Sequence, residues 1–221
     1  MSIKGTRQLD SVGFFQSNHS TEDYLSFGPV SSGLVAYFPL EASGLDSVNF
    51  IDLAATGSPS FTPGVRNNAV SLNGSSQFLL AESGTSALNV GAGDFSVSFW
   101  MYPTANQPGN IFQHGLRYAG GKRYQISFSS TSNLININID DDVSPVSLNS
   151  DSAMPLNDWT HIVAQRDGNT LRIFRNAVAD GTADVTGVAS LDSATLFTAI
   201  GTGNDAAGDP TELFFAGYVD E

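Results

Sequence analysis

Residues 94–103, DFSVSFWMYP, constrain the fold of this chain more than any other segment, because large hydrophobic residues alternate strictly along it. Phe95, Val97 and Phe99 fall on one face, whereas two serines and Trp100 fall on the other. A period of two is typical of a β-strand with one buried face. Three large hydrophobic side chains on one face need an opposing layer to cover them. The segment therefore predicts a strand at the centre of a layered β-structure.

The same alternation recurs in short segments from residue 33 to the end of the sequence, separated by turn-forming residues. Asp167-Gly168-Asn169 lies between two such segments and predicts a hairpin. A Gly-Ser turn joins the segments at 67–74 and 77–81, whereas the passage 43–64 is polar and turn-rich. About eleven short strands without any sustained helical period predict an all-β protein, a two-sheet antiparallel sandwich. Further strands are predicted at 33–40, 122–129, 134–140, 159–166 and 171–176.

Composition excludes several classes of site. The 221 residues include 9 basic and 22 acidic side chains, for a net charge of −13, so we expect neither nucleic acid nor anionic membrane as a partner. Cysteine is absent, which excludes disulfides and thiolate metal sites. The sequence has no apolar run near the ~18 residues of a membrane span. It also shows no hydrophobic region of the secretory type, which predicts a soluble chain without an export signal.

Residues 1–32 differ from the rest, because their aromatic side chains follow neither strand nor helical periodicity. Such a segment predicts an extended arm that docks on another surface rather than a part of a self-contained core. Ordering it costs roughly 1–2 kcal/mol per residue of backbone entropy, which burial of large side chains would have to offset. The side chains that could do so are Phe14, Phe15, Tyr24, Leu25 and Phe27.

Five segments in this order, GLVAYFPLE, NNAVSLNGSSQFLL, GDFSVSFWMYP, NDWTHIVAQRDGNTLRIFRNAV and FFAGYVDE, closely resemble laminin-G-like domains. These belong to the concanavalin A-like lectin and glucanase superfamily, and the resemblance covers residues 33–221. It implies a jelly-roll sandwich, and family members are mostly binding or structural modules. In relatives the strand that contains Asp220 and Glu221 runs further, so we expect the domain to continue beyond residue 221, with completion of this strand by another chain as the alternative.

The sequence predicts no hydrolase. Glycosidases of the superfamily carry carboxylates at alternating positions of one strand, so that acid and nucleophile flank one bond. The three consecutive aspartates 140–142 do not alternate, and we interpret them as a solvated strand end, with calcium capture as the alternative. The segment GTGNDAAGDP, 201–210, lies between strands rather than before a helix, and we interpret it as a mobile loop, not a phosphate site.

Candidate ligand residues come from the aromatic and histidine side chains. Tyr102, Tyr118 and Tyr124 lie near predicted loops and could stack on a carbohydrate. The histidines are too few and too widely spaced for a metal cluster. His161 is interpreted as a packed or rim residue, and a ligand role for His114 has no support in the sequence. The two tryptophans, at 100 and 159, lie in strands and are interpreted as core.

The resemblance also implies one structural calcium ion, because superfamily members often tie the first strand to the last through such an ion. The matching positions are Glu41 and Asp220, although relatives more often have Asp at the first of them. Calcium takes about six to eight oxygen ligands, so two carboxylates alone are insufficient. An ordinary pair of exposed acids is the alternative interpretation.

Taken together, these observations favour a non-enzymatic structural component of a larger assembly. The virion of a phage is the expected setting, as a capsid decoration or a tail or fibre protein that displays a laminin-G-like domain on the virion surface, with residues 1–32 binding neighbouring subunits. The alternative is a carbohydrate-binding or adhesion module that is extracellular or at the cell surface.

Overall fold

The computed structural model describes residues 33–118, 121–129 and 131–221. Its strands, numbered β1 to β15 along the chain, form two antiparallel sheets that share one hydrophobic core. In spatial order, the eight-stranded sheet contains β1 (Gly44–Leu45), β2 (Asp52–Thr56), β5 (Phe78–Ala81), β14 (Thr198–Ile200), β7 (Gly109–Gly115), β8 (Arg123–Phe128), β9 (Ile135–Asp140) and β10 (Val146–Asn149). The seven-stranded sheet contains β13 (Val178–Asp184), β12 (Thr170–Arg175), β11 (Thr160–Asp167), β6 (Phe95–Pro103), β15 (Ala216–Asp220), β4 (Asn68–Asn73) and β3 (Ser60–Pro63).

The alternating segment 94–103 contains β6, which lies at the centre of the seven-stranded sheet between β11 and β15. Phe99 and Met101 are buried on its inner face, as the alternation predicts. Phe99 lies opposite Ile162 of β11, which is also buried. Burial of one such side chain stabilises the fold by about 1.5–3 kcal/mol. The predicted all-β jelly-roll sandwich is confirmed.

Strand β9 shows most simply how one sequence pattern serves two surfaces. Its isoleucines at 135, 137 and 139 are buried in the core, whereas Asn136, Asn138 and Asp140 are partly exposed on the outer face of the eight-stranded sheet. The predicted hairpin is also confirmed, since β11 and β12 pair up to Asp167 and Thr170. Gly168 lies in its turn with a φ of 56°, a conformation that glycine adopts without strain.

The predicted strand at 33–40 is wrong, because this segment pairs with no strand in the described part of the chain. Its backbone uses a side chain instead: the amide of Tyr37 donates to the Asp46 carboxylate at 2.6 Å, and the Tyr37 carbonyl accepts from Ser47. Phe38 and Leu40 nevertheless pack in or against the hydrophobic core, although the backbone of this segment forms no β-sheet hydrogen bonds with a strand in the described part of the chain.

The Gly-Ser turn after β4 does not close a hairpin, since β4 and β5 belong to opposite sheets. The Asn73 side chain accepts backbone N–H bonds from Ser75, Ser76 and Gln77, and this turn leads the chain from one sheet to the other. The passage 43–64, which is polar and turn-rich in sequence, carries three short strands, β1 to β3. These strands end the two sheets on one side, where short polar strands discourage pairing with another chain.

The sandwich belongs to a compact unit that runs from Val35 to Glu221. The predicted arm, residues 1–32 with its five large side chains, lies outside the described residues. In the part of the chain that the structure describes, the sole helix is a short 3₁₀ turn at Ser86–Leu88, and no helix has the length and hydrophobicity of a membrane span.

Candidate functional site

A network of amide side chains lies on the outer face of the eight-stranded sheet. A bulge in β7 places Ile111 and Phe112 in the core in succession, and this shifts Asn110 to the outer face beside Gln113. The Nδ2 of Asn110 donates to the Oε1 of Gln113 at 2.8 Å, and the Gln113 Nε2 donates to the Oδ1 of Asn204 at 2.5 Å. The Gln125 Nε2 donates to the Asn110 Oδ1. The members of this amide network, Asn110, Gln113, Gln125 and Asn204, are at most 5% exposed.

The segment 201–214 supplies Asn204 and lies against this outer face, so the interpretation as a mobile loop missed a set of ordered contacts. Gly203 and Glu212 pair with each other across the segment, and the Thr202 hydroxyl donates to the Glu212 carbonyl at 3.0 Å. At the tip, the Asp205 carboxylate accepts a bond from the Thr211 hydroxyl at 2.8 Å. This bond, with backbone amides that also donate to the carboxylate, lowers the pKa of Asp205.

A cation, a carboxylate and an aromatic ring meet above the network. The Nη1 of Arg117 lies 2.8 Å from the Oε2 of Glu212, and the Tyr118 hydroxyl donates to the same oxygen at 3.2 Å. The Arg117 guanidinium lies 4.7 Å from the centroid of the Tyr118 ring. The backbone amide of Arg117 donates to Asn204 at 2.9 Å, so the amide network fixes the position of this group. All three side chains remain partly exposed.

Arg123 of β8 contacts the backbone of Arg117 and helps to fix its position. Its guanidinium donates to the Arg117 carbonyl and to the Asn138 Oδ1, each at 2.8 Å, and it lies 2.9 Å from the Asp140 carboxylate. Burial lowers the pKa of Arg123, and Asp140 opposes that effect. The Arg123 Nε–H is buried and has no hydrogen-bond partner among the described residues. We call the six residues Arg117, Tyr118, Arg123, Asn138, Asp140 and Glu212 the polar cluster.

A group of aromatic side chains lies on the outer face of the seven-stranded sheet. Tyr102 contacts Trp159 and Tyr218, with ring centroids 5.4 Å away in each case, and Trp100 contacts His161 at 5.0 Å. We call these five residues the aromatic cluster. All five are partly exposed, so the interpretation of Trp100 and Trp159 as core residues is wrong. Trp100 lies on the same face of β6 as two serines, and this face points away from the core.

The three candidate tyrosines are not brought together. Tyr118 belongs to the polar cluster and Tyr102 to the aromatic cluster, on opposite sheets. Tyr124 is wrong as a ligand residue: it is buried in the core between Phe95 and Phe112, and its hydroxyl donates to the Leu88 carbonyl at 2.8 Å. Burial raises the pKa of Tyr124. The reason is again parity, because residue 124 shares the inner face of β8 with two buried hydrophobic residues.

The two described histidines differ in their surroundings. His114 is fully buried, with Nδ1 2.8 Å from the Thr198 hydroxyl and Nε2 3.0 Å from the Asn89 Oδ1. Burial lowers the pKa of His114 to about 4, so the neutral ring is a structural element of the core. His161 lies in the aromatic cluster with its Nε2 2.9 Å from the Ser98 hydroxyl, and burial lowers its pKa as well.

Glu41 and Asp220 lie near one another, as the resemblance implies. The Asp220 Oδ2 accepts the backbone amides of Val65 and Arg66 at 2.8 and 2.9 Å, whereas its Oδ1 is buried and has no partner among the described residues. Burial raises the pKa of Asp220 to about 6, and the charges of Glu221 and Glu41 act in the same direction. Glu41 is itself held by the Asn68 amide at 2.9 Å.

Of the aspartates at 140–142, only Asp142 is exposed as a solvated strand end would be. Asp140 pairs with Arg123, and Asp141 is buried. The Asp141 carboxylate accepts backbone N–H bonds from Val143, Ser144 and Ala189, which lower its pKa against the effect of burial. Within residues 33–118, 121–129 and 131–221, no group of three or more His, Asp and Glu side chains has an arrangement that could hold a metal ion.

Residues 73–221, more than half of the chain, match the Laminin_G_3 family of the concanavalin A-like lectin/glucanases superfamily. The chain belongs to this family. The Laminin_G_3 match includes every member of both clusters and the whole amide network. Among curated protein sequences, none matches the chain.

Solved structures with this fold come from several kinds of protein. Domain 4 of AbnA, a GH43 extracellular arabinanase from Geobacillus stearothermophilus, solved in complex with arabinotriose, is 19% identical with a TM-score of 0.64, over 85% of this chain and 89% of that one. The binding domain of Paraclostridial Mosquitocidal Protein 1 is 12% identical, TM-score 0.61, over 78% and 43%. Mouse laminin alpha1 domains LG4-5 are 10% identical, TM-score 0.53, over 77% and 40%. At such identities the likeness concerns the fold alone.

Proposed function

We propose that this chain is a non-catalytic carbohydrate-binding module and that its ligand binds to the polar cluster. The observation that carries the proposal is the meeting of Arg117, Glu212 and Tyr118 within hydrogen-bonding and stacking distance, on an amide network that is almost fully buried. A carboxylate accepts bonds from sugar hydroxyls, a guanidinium donates to them, and an aromatic ring packs against the apolar face of a pyranose or furanose.

The buried layer matters because a binding site needs fixed side chains. Asn204 holds the Arg117 backbone and Gln113 at the same oxygen, and Arg123 holds the Arg117 carbonyl. Groups positioned in this way lose little conformational entropy when a ligand binds. The arabinotriose complex of AbnA domain 4 supports sugar as the ligand class for this fold.

The test is calorimetric titration of the full chain with arabinotriose and a panel of neutral oligosaccharides. Arg117→Ala should weaken binding at least tenfold, which corresponds to about 1.4 kcal/mol. The chain offers a matched control in Arg172, which forms an ion pair of the same 2.8 Å length with Asp167 at similar exposure on the other sheet. Arg172→Ala should leave the dissociation constant unchanged. Equal loss in both variants, or in neither, contradicts the proposal.

The absence of enzymatic activity is part of the proposal. The carboxylates of the polar cluster, Asp140 and Glu212, are each engaged by an arginine rather than poised as an acid and a nucleophile. Release of reducing ends from arabinan or β-glucan, lost on Glu212→Gln, would show that the site is catalytic instead.

We also propose a structural calcium ion, because the buried Oδ1 of Asp220 has no partner in the part of the chain that the structure describes and the Glu41 charge acts on Asp220. These two carboxylates fit an ion only with backbone carbonyl or water oxygens, because calcium takes about six to eight oxygens. Such an ion would neutralise buried negative charge at the C-terminal end of β15. The corresponding test is the melting temperature in calcium and in chelator.

The setting that we propose is a virion surface, with a cell surface or extracellular location as the alternative. It is supported by the aromatic composition of residues 1–32, whose large side chains suit docking on neighbouring subunits. Deletion of residues 1–32 should prevent incorporation into particles and leave carbohydrate binding intact. If the truncated chain still joins its assembly, the arm does not have this role.

A further inference from the structure

The aromatic cluster has a property that the core aromatics lack. The indole N–H groups of Trp100 and Trp159 and the hydroxyls of Tyr102 and Tyr218 make no hydrogen bond within the described residues. Tyr118 and Tyr124, by contrast, each use their hydroxyl in a bond to the protein. Within the described part of the chain, four partly exposed amphipathic rings on one sheet face therefore have unpaired polar groups, which is the combination that favours such rings at binding surfaces.

The rings form two neighbouring positions. Tyr102, Trp159 and Tyr218 make a triangle with centroid separations of 5.4, 5.4 and 6.3 Å. Trp100 and His161 form a pair one step along the same strands, and residues two apart in a strand lie about 7 Å from each other. The Ser98 hydroxyl beside His161 adds a polar group next to the second position.

Size and charge decide what this surface can bind. A stable protein interface takes about 20–30 residues from each partner, and five clustered side chains supply far less. Glu221 is close enough to His161 to act on its pKa, and the chain carries a net charge of −13, so an anionic ligand is disfavoured. Alternation of ring faces with hydroxyl and imidazole groups suits a ligand with apolar ring faces and many hydroxyls.

We infer that the aromatic cluster is a second carbohydrate site, which binds a neutral oligosaccharide by stacking on the face of the sandwich opposite to the polar cluster. This inference goes beyond the polar cluster and stands on other residues, although it shares the ligand class of the proposed function. A chain with both sites would engage two glycan segments at once, and linked binding of this kind raises avidity without any new contact.

The chain provides its own reporter for this site, because its two tryptophans are both in the aromatic cluster. Arabinotriose and cellotriose, titrated into the full chain, should change the intrinsic tryptophan fluorescence saturably. The same change should persist in Arg117→Ala. Tyr102→Ala and Tyr218→Ala should each weaken the fluorescence titration at least fivefold, and Tyr102→Phe should have a smaller effect, because it keeps the ring. Phe50→Ala is the matched control, since Phe50 is a solitary aromatic residue that is 76% exposed.

The possible outcomes separate this inference from the proposed function. A calorimetric signal without any fluorescence change, for both sugars, overturns the second site and leaves the polar cluster as the sole binding surface. A fluorescence change that disappears in Arg117→Ala assigns the signal to the polar cluster and also overturns the inference. A change that persists in Arg117→Ala but disappears in Tyr102→Ala supports it, whatever happens at the polar cluster. Self-association that Tyr102→Ala abolishes, with no response to sugar, would identify the surface as a protein contact instead.

Discussion

The outer faces of the two sheets are built on opposite plans. On the eight-stranded sheet, amide side chains are buried beneath the segment 201–214 and satisfy one another, and charged residues lie above them. On the seven-stranded sheet, partly exposed aromatic rings contact one another, and the polar groups of the Trp and Tyr rings have no hydrogen-bond partner among the described residues. The amide side chains of the first face are paired with one another in a medium of low dielectric constant, where a missing partner is expensive. The second face depends on packing between rings, so it should tolerate loss of a polar group.

The two sheet faces should differ most in how much a substitution lowers the free energy of unfolding. Asn204→Ala removes the acceptor of Gln113 and of the Arg117 amide, and we expect a loss of about 2–4 kcal/mol in the free energy of unfolding. Ser98→Ala, on the other face, should change it by less than about 0.5 kcal/mol, as exposed substitutions usually do. Urea denaturation of both variants measures the difference. Equal losses would show that the two faces do not differ in this way.

A second contrast lies between the histidines. Burial lowers the pKa of His114 to about 4, whereas the unfolded chain protonates near 6.5, so the unfolded state takes up a proton first as the pH falls. The contribution of His114 is complete above pH 6.5 and decreases as the pH falls towards 4, by roughly 3 kcal/mol in total. His114→Gln should flatten this part of the stability profile. His161→Gln should alter it less, because His161 is partly exposed, and the reverse order would contradict the assignment.

A third, smaller effect concerns Asp220 at the end of β15. If calcium binds there, the melting temperature should rise on adding calcium, by about 2–4 °C for each kcal/mol of binding free energy. Asp220→Asn should abolish that rise and should itself stabilise the chain in chelator, because it removes a buried charge whose Oδ1 has no partner. Asp52→Asn, at an exposed position, serves as the control. Identical melting in calcium and chelator for the unchanged chain means that no ion binds.

The sequence predicts the sandwich well because alternation directly encodes which face is buried. The same rule, applied residue by residue, also predicts the orientation of two aromatic residues that were assigned wrongly. Tyr124 has the parity of Ile126 and Phe128 and lies inside, whereas Trp100 has the parity of Ser98 and lies outside. Position near a loop, which suggested Tyr124 as a ligand residue, carries less information than parity.

Other features could not be predicted from local pattern. The bulge at Ile111 shifts Asn110 to the outer face and creates the amide network, and a bulge leaves no sequence signature in NIFQHG. Arg117, Asn204 and Glu212 are far apart in sequence, and the pairing of β14 with β7 brings them together. Asp141 is buried because its carboxylate accepts the Ala189 amide, a tertiary contact that periodicity does not report.

The most direct test of the polar cluster as the ligand site is a map of where the sugar binds. Backbone amide shifts of the full isotope-labelled chain, followed during titration with arabinotriose, should move saturably at Arg117, Tyr118 and Glu212. Glu212→Gln should shift the midpoint of these three changes to at least tenfold higher sugar concentration. If the amides of the polar cluster stay unmoved while arabinotriose binds elsewhere on the chain, the polar cluster is not the binding site.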